Sequence, residues 1–231
     1  MRKTVLFDLD DTLYSELDFV KSGYLAVSER ITEKYSDRDL DKDEVFDRLW
    51  ELFQEDARGV FNRFLNLQRL PCEEGDIREL VKLYREHTPS IKPFSDAVST
   101  LKQLKDMRCN LGVLSDGYPI SQRNKLAALF PGKGYLFDKI LLTDELGKEY
   151  HKPDERAFIM LMEFFQTDWN ETIYVGDNPG KDFYIGNEHP ILTIRLLRED
   201  GVYKNSEYLK DIREKLTIGA LSELPDIVKR S

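Results

Sequence analysis

The chain has 231 residues, enough for one large α/β domain or for a core that carries a smaller inserted domain. Its 43 acidic residues outnumber its 34 Lys and Arg residues, and the formal net charge is −9. An acidic chain repels the phosphate backbone of nucleic acids, so we expect no nucleic-acid partner. This charge does not exclude a small anionic ligand, because local lysines or a bound cation can outweigh the overall field.

The N-terminal segment MRKTVLFDLDDTLY has only a short apolar stretch, which carboxylates interrupt, so it does not resemble a signal peptide. No run of residues approaches the ~20 apolar residues of a membrane span. We therefore expect a cytoplasmic protein with no membrane partner. Cys72 and Cys109 are far apart, and their spacing predicts neither a zinc site nor a disulfide framework. Both cysteines are expected to be reduced and at least half-buried.

Short runs rich in β-branched and aromatic residues predict strands along most of the chain. These runs cover residues 4–9, 110–114, 139–143, 172–175 and 191–196. Apolar residues at helical spacing lie between them, as at Phe158, Leu161 and Met162, and a last amphipathic helix is expected over 220–228. Strands that alternate with helices predict an α/β fold in three layers, with a parallel sheet between two layers of helices.

Residues 15–89 interrupt this alternation. They contain no convincing strand, and their apolar residues fall at helical spacing in four segments with polar connections such as SDRDLDKDE and PCEEG. We predict a small bundle of four helices inserted between the first and second strands. The expected domains are a core of residues 1–14 and 90–231 and a helical cap of residues 15–89 that covers one edge of the sheet.

Asp8 and Asp10 lie two residues apart where the first predicted strand ends. Two such close carboxylates repel each other, which raises one pKa or recruits a cation. Mg²⁺ prefers oxygen ligands of this kind, and a proton kept by one carboxylate would be available for general acid catalysis. An isolated Asp-x-Asp, however, is equally typical of a solvated turn after a strand. The motif gains weight only from further segments.

Two further segments offer groups that could bind phosphate oxygens. Ser115 follows the second predicted strand and precedes Asp116 and Gly117, so a hydroxyl and backbone N–H groups become available there. Lys152 precedes a helix, where its ammonium could act as a point charge on phosphate. Taken alone, Ser-Asp-Gly is more often a simple turn, and a lone exposed lysine usually has no specific role.

A second pair of carboxylates, Asp177 and Asp182, follows the fourth predicted strand. Open parallel sheets gather their sites at the carboxyl ends of neighbouring strands, so this pair is expected beside Asp8 and Asp10. Covalent hydrolysis of a phosphate ester needs a nucleophile, an acid, a metal and donors to the phosphoryl oxygens. The sequence offers a candidate for each of these roles.

The segments FDLDDTL, VLSDG, HKP and VGDNPGKD occur in this order over nearly the whole chain. Together they resemble the four signature motifs of the haloacid dehalogenase-like hydrolase superfamily, in the branch with a helical cap after the first motif. The resemblance implies a Rossmann-like core and Mg²⁺-dependent phosphohydrolase chemistry. It implies that Asp8 is the nucleophile that forms an aspartyl-phosphate. Asp10 would protonate the leaving group and later activate water.

The resemblance assigns further expected roles. Thr12 would support the loop and is counted among the catalytic residues with Asp8, Asp10, Ser115 and Lys152. The residues expected around the phosphate are Asp8, Leu9, Asp10, Ser115, Asp116, Gly117 and Lys152. The residues expected around Mg²⁺ are Asp8, Asp10, through its backbone carbonyl, Asp177 and Asp182, the last as a ligand or in support of one.

Two departures bear on the subclass. Asp10 argues against the dehalogenases and the phosphonate-cleaving branch, which lack this aspartate. Asp116 stands where many members carry Asn, which adds negative charge near the substrate.

The expected function is hydrolysis of a small phosphorylated metabolite, either a sugar phosphate or a nucleoside monophosphate. A phosphomutase on the same scaffold and a non-catalytic phosphate-binding module are the alternatives, and the chain is expected to be a monomer or homodimer. The candidate contacts to the leaving group are Tyr14, Ser15, Glu16, Arg58, Phe61 and Arg63. Each of these is also compatible with an ordinary surface or bundle-core position.

Overall fold

The computed structural model describes residues 2–132 and 136–231. At its centre lies a six-stranded sheet in the order β3-β2-β1-β4-β5-β6, in which all neighbouring strands are parallel. The strands are β1 (Thr4–Phe7), β2 (Asn110–Ser115), β3 (Lys139–Leu142), β4 (Thr172–Gly176), β5 (Leu192–Leu196) and β6 (Leu216–Ile218). Strands β2 and β3 lie on one side of β1, and β4, β5 and β6 lie on the other, so the strand order reverses at β1.

The helices are α1 (Glu16–Lys34), α2 (Lys42–Glu55), α3 (Val60–Leu67), α4 (Asp76–Glu86), α5 (Ala97–Asp106), α6 (Pro119–Leu129), α7 (Arg156–Phe165), α8 (Ile185–Glu188) and α9 (Leu224–Arg230). Helices α5, α6 and α9 pack on one face of the sheet, and α7 and α8 pack on the other. Side chains alternate along β1, so Val5 belongs to the core formed with Leu101 of α5, whereas Leu6 belongs to the core formed with Phe158 of α7. The predicted three-layer α/β fold is confirmed.

Helices α1 to α4 lie between β1 and β2 and form the predicted four-helix bundle. The bundle has its own hydrophobic cluster, to which Val27, Leu49, Phe64 and Leu80 contribute one residue from each helix. Helix α2 begins at a conventional cap, because the side chain of Asp41 accepts hydrogen bonds from the first free N–H groups. The domain limits at residues 14 and 89 stay a prediction.

The sequence prediction and the structure differ at three places. Strand β1 ends at Phe7, so the carboxylates start one residue after the strand and the chain is already turning. Strand β6 was not predicted, because it has three residues and two of them are exposed. Cys72 is exposed, which corrects the expectation that both cysteines are shielded, whereas Cys109 is buried.

No helix in the described part of the chain has both the length and the apolar character needed to cross a lipid bilayer.

Candidate active site

Functional side chains gather where β1, β2 and β4 end. Asp8 follows β1, Ser115 is the last residue of β2, and Asp177 follows β4. The strand order reverses at β1, and such reversals leave a crevice at the carboxyl edge of a parallel sheet. A cavity of about 690 Å³ opens at this edge, lined by Asp8 and Asp177 as well as by residues of α1, α4 and α6.

Lys152 forms the centre of a buried polar network. Its Nζ lies 2.5 Å from Oδ1 of Asp8 and 2.9 Å from Oδ1 of Asp182, and it donates a 2.7 Å hydrogen bond to the hydroxyl of Tyr174. The Tyr174 hydroxyl donates in turn to Asp182. Burial alone would lower the pKa of Lys152, but the carboxylates of Asp182 and Asp8 raise it well above its usual value. Lys152 is therefore a fixed positive charge beside Asp8.

Asp10 has a separate set of partners. Its Oδ1 accepts hydrogen bonds from Tyr14 and from Nζ of Lys125 at 2.7 Å, and its Oδ2 accepts one from the Gln122 amide at 2.8 Å. Burial would raise the pKa of Asp10, but Lys125 and these hydrogen bonds hold it below its usual value. The two carboxylates of the first motif therefore have different electrostatic surroundings.

The Ser115 segment is held from several directions. The Ser115 hydroxyl is buried and accepts a 2.8 Å hydrogen bond from the side chain of Gln122. The carboxylate of Asp116 accepts a 2.7 Å hydrogen bond from Thr143. The Gly117 N–H donates to Asp144 at 3.0 Å, so it already has a partner and differs from the free donor expected from the sequence.

Two residues of the first motif support the site without projecting into its cavity. The Leu9 side chain is completely buried in the core, so Leu9 can contribute only its backbone to a phosphate site. The Thr12 side chain is also completely buried, and its hydroxyl lies 3.5 Å from Oδ1 of Asp177. Thr12 thus joins the loop after β1 to the loop after β4.

Asp8, Asp177 and Asp182 form a cluster that could hold a cation. Each offers a carboxylate oxygen, and these three oxygens lie within 4.8 Å of one another. Oδ2 of Asp177 is buried and has no hydrogen-bond partner among the described residues. Burial and the negative charges of Asp182 and Asp8 raise the pKa of Asp177 far above its usual range. Clustered carboxylate oxygens, one of them without a hydrogen-bond partner, are suitable ligands for a hard cation such as Mg²⁺.

The members of this cluster are not equivalent. Asp182 uses Oδ1 to accept from Tyr174 and to pair with Lys152, and its Oδ2 accepts from the Asn178 N–H. Burial would raise the pKa of Asp182, but Lys152 and the neighbouring donors lower it. Both oxygens of Asp182 are therefore occupied, whereas Oδ2 of Asp177 has no hydrogen-bond partner among the described residues.

Asp11 links the catalytic edge to the bundle. It adopts a positive φ of 51°, a conformation that aspartate tolerates better than most side chains. Its two oxygens accept 2.7 Å hydrogen bonds from the backbone N–H groups of Glu16 and Val202. One carboxylate thus fixes the start of α1 and the loop after β5 against the loop that carries Asp8 and Asp10.

The six candidate contacts to the leaving group lie in different places. Ser15 immediately precedes α1 and does not line the catalytic cavity. Glu16 lines the catalytic cavity, and Glu16 and Phe61 line a second cavity beside it. Tyr14 contacts Asp10 directly. Arg58 is highly exposed and paired with Asp56, and Arg63 donates to backbone carbonyls at the end of α2, so neither arginine lines these cavities.

Sequence reasoning missed four functional side chains, namely Gln122, Lys125, Tyr174 and Lys181. Gln122 and Lys125 are spaced three apart on α6, which follows the Ser115 motif, and this proximity was the available signal. Lys181 lies within the VGDNPGKD segment and lines the catalytic cavity, with its Nζ 3.5 Å from Asp116. A buried polar partner such as Tyr174, inside a strand, gives no distinct sequence signal.

The fold and the site together define a three-layer α/β core with a buried acidic cluster at the carboxyl edge of its parallel sheet, where a cation could bind. The family model for the haloacid dehalogenase-like hydrolases matches residues 2–184. The chain belongs to this family.

Curated relatives and solved structures agree with this membership. The chain is 30% identical to the glyceraldehyde 3-phosphate phosphatase of Methanocaldococcus jannaschii, over 99% of this chain and 98% of the relative. It is 29% identical to the protein of that name from Methanopyrus kandleri, over 91% and 90% of the two chains. The putative HAD-hydrolase YfnB of Bacillus subtilis, solved bound to magnesium, has the same fold, with a TM-score of 0.65, 19% identity and 98% coverage of both chains.

Proposed function

We propose that the protein is a Mg²⁺-dependent phosphomonoester hydrolase that acts through an aspartyl-phosphate on Asp8. The observation that carries this proposal is the pair of carboxylates after β1, each with its own lysine. Asp8 lies 2.5 Å from Lys152, and Asp10 lies 2.7 Å from Lys125. Two carboxylates in different surroundings suit two different roles, nucleophile and acid or base.

In the first step, an Oδ atom of Asp8 attacks phosphorus and forms a new P–O bond. The bond to the leaving oxygen breaks, its electron pair stays on that oxygen, and Asp10 supplies the proton. A bound phosphoryl group carries negative charge, which raises the pKa of Asp10 and lets it hold this proton. In this proposal Lys152, Lys181 and the Ser115 hydroxyl hold the phosphoryl oxygens.

In the second step, Asp10 is ionised and takes a proton from water while the water oxygen attacks phosphorus. The bond between phosphorus and Asp8 breaks, phosphate leaves, and Asp8 regains its carboxylate. Lys125 stabilises the ionised form of Asp10 that this step requires. Lys125 therefore favours the ionised Asp10 that acts as the base in the second step. Protonation of Asp10 for the first step depends on the negative charge of the bound substrate.

Asp8, Asp177 and the backbone carbonyl of Asp10 would hold Mg²⁺, which neutralises negative charge on the phosphoryl group when bound. In this proposal Asp182 acts mainly through Lys152, because both of its oxygens already have partners.

The proposed substrate is a small phosphorylated metabolite, in the sugar phosphate or nucleotide class. The relatives named as glyceraldehyde 3-phosphate phosphatases favour a sugar phosphate and add a triose phosphate to the candidates. The absence of a nucleic-acid or membrane partner, the cytoplasmic location and the monomeric or homodimeric state stay predictions.

The test is phosphate release from a panel of metabolite phosphomonoesters, with Mg²⁺ or with EDTA, for wild type, Asp8→Asn and Asp18→Asn. Asp18 is an exposed aspartate of α1 and serves as the matched control. We expect turnover with Mg²⁺ in wild type and Asp18→Asn, and none in Asp8→Asn or EDTA. Turnover that persists in Asp8→Asn would contradict the proposed nucleophile.

The same panel separates the alternatives. A phosphomutase would convert a sugar phosphate into its isomer with little free phosphate, because the cap would exclude water from the intermediate. A binding module would release nothing from any ester and would still bind phosphate.

A further inference from the structure

A second cavity lies directly beside the catalytic cavity, among helices α1 to α4 and the loop after β5. Its volume is about 430 Å³, within the range of small-molecule pockets. Aromatic side chains form much of its wall, namely Tyr24, Phe53, Phe61, Tyr84 and Tyr203. We call this cavity the aromatic chamber.

The aromatic chamber shares part of its wall with the catalytic cavity. Glu16, Tyr84, Arg85 and Tyr203 line both spaces and therefore lie at the boundary between them. A leaving group that extends from a phosphoryl group at Asp8 past this boundary would enter the chamber.

Glu16 lies at this boundary and has an unused hydrogen-bonding atom. Its Oε2 is shielded from solvent and has no hydrogen-bond partner among the described residues. Its backbone N–H is fixed by Asp11, so α1 holds the residue in place. An unpartnered buried carboxyl oxygen is unfavourable unless something supplies a donor.

We propose that the aromatic chamber binds a flat ring of the leaving group and that Glu16 accepts a hydrogen bond from a hydroxyl or amino group between that ring and the phosphate. This inference rests on the proposed function and narrows its substrate class. A triose phosphate, by contrast, has no ring to place against these aromatic side chains. Offset or edge contacts with aromatic walls favour a flat ring over an open chain of similar size.

The first experiment compares 2-hydroxy-2-phenylethyl phosphate with glyceraldehyde 3-phosphate. We expect kcat/KM to be at least about tenfold higher for the ring ester, the scale on which a filled apolar pocket discriminates. Asn62→Trp places a large side chain in the chamber wall, whereas Asn66→Trp changes another exposed residue of α3 that lies outside it. The ratio of the two kcat/KM values should fall about tenfold in Asn62→Trp and stay unchanged in Asn66→Trp.

The second experiment tests Glu16 with 2-phenylethyl phosphate, which lacks the hydroxyl group. Wild type should favour the hydroxylated ester by roughly tenfold, because the hydrogen bond is made to a buried carboxyl. Glu16→Leu should remove this preference. Asp18→Leu, which changes the exposed acidic residue of the same helical turn, should retain it.

Failure of the inference is distinguishable from failure of the proposed function. If glyceraldehyde 3-phosphate is hydrolysed as well as the ring ester, the enzyme is a phosphatase and the chamber proposal is overturned. If no ester releases phosphate, binding of the alcohol 1-phenylethane-1,2-diol by titration calorimetry decides. Binding that Asn62→Trp weakens and Asn66→Trp does not would support the chamber, and no binding to wild type would overturn it.

Discussion

The ammonium group of Lys125 lies 2.7 Å from Oδ1 of Asp10, and both side chains are largely shielded from solvent. Lys125 belongs to α6, so the helix after the Ser115 motif controls the charge of a carboxylate in the first motif. Burial would raise the pKa of Asp10, but Lys125, through its charge and hydrogen bond, contributes most to lowering it. Lys125 thus favours the ionised form of Asp10.

Replacing Lys125 with Met should move the acid limb of the kcat profile to higher pH, because the second step needs ionised Asp10 as its base. The pKa of Asp10 is lowered in the native chain, and removal of the positive charge favours the protonated form. We expect a shift of about 1 pH unit or more, as for loss of a close opposite charge. The measurement is kcat against pH, with Mg²⁺ and one fixed ester both at saturation.

Two controls separate this effect from general damage. Lys125→Arg keeps a positive charge near Asp10 and should retain most of the wild-type acid limb. Lys105→Met removes a lysine that pairs with Asp138, away from the site, and should leave the profile unchanged. An acid limb that does not move in Lys125→Met would show that it does not report Asp10.

The sequence predicted those parts of the site that depend on strand ends. Asp8, Ser115 and Asp177 follow or end strands whose buried runs are easy to read, and parallel strands must end at one edge. The four-helix insert was equally readable, because its apolar residues repeat at helical spacing. These features depend on local patterns and on general sheet geometry.

Other parts of the site depend on contacts that no local pattern encodes. Gln122 and Lys125 are almost fully buried, although such residues in helices usually face solvent. Their role follows from how α6 packs beside Asp10, which requires tertiary coordinates. Strand β6 was missed for a related reason, since an exposed three-residue edge strand has little hydrophobic pattern.

Removal of the Tyr174 hydroxyl should destabilise the fold. This hydroxyl accepts from Lys152 at 2.7 Å and donates to Asp182 at 3.0 Å, with all three side chains buried. Tyr174→Phe leaves two buried charged groups short of a partner, so we expect a loss of about 1–3 kcal/mol in the free energy of unfolding. Urea denaturation measures it, with Tyr150→Phe, a half-buried tyrosine, as the control. Equal stability of Tyr174→Phe and wild type would mean that water or a rearrangement replaces the hydroxyl.

The pH dependence of the free energy of unfolding should show whether Asp177 is protonated in the folded chain. Its native pKa is raised, so over the range between the unfolded and native pKa values the folded chain binds more protons than the unfolded chain. Stability measured in EDTA should therefore fall as pH rises above about 4, the ordinary aspartate pKa, toward the native pKa. Asp177→Asn has no such proton to lose, so its stability should fall less steeply between about pH 5 and pH 9 by urea denaturation. Parallel slopes for variant and wild type would contradict a protonated Asp177.

Mg²⁺ should oppose the loss of stability that the wild type shows as pH rises. A cation bound by Asp8 and Asp177 stabilises their ionised forms and releases protons on binding. We expect Mg²⁺ to raise the unfolding temperature of wild type, and to raise it more at higher pH. Asp177→Asn should show a much smaller increase, whereas Asp18→Asn should match wild type. An equal response of Asp177→Asn and wild type would place the Mg²⁺ effect elsewhere on the chain.

Asp116 adds a negative charge to the wall of the catalytic cavity, with its Oδ2 3.5 Å from Lys181. Asp116→Asn can still accept the hydrogen bond from Thr143, so the local structure should persist. Loss of the Asp116 charge lowers the repulsion of a bound phosphate and frees Lys181 to contact it. Phosphate should therefore inhibit the variant more strongly, by roughly tenfold for one charge in a partly shielded site. The measurement is the inhibition constant of inorganic phosphate, with Glu145→Gln, outside this cavity, as the control. If Asp116→Asn binds phosphate more weakly, the carboxylate is needed to orient Lys181, and its negative charge is part of the binding site.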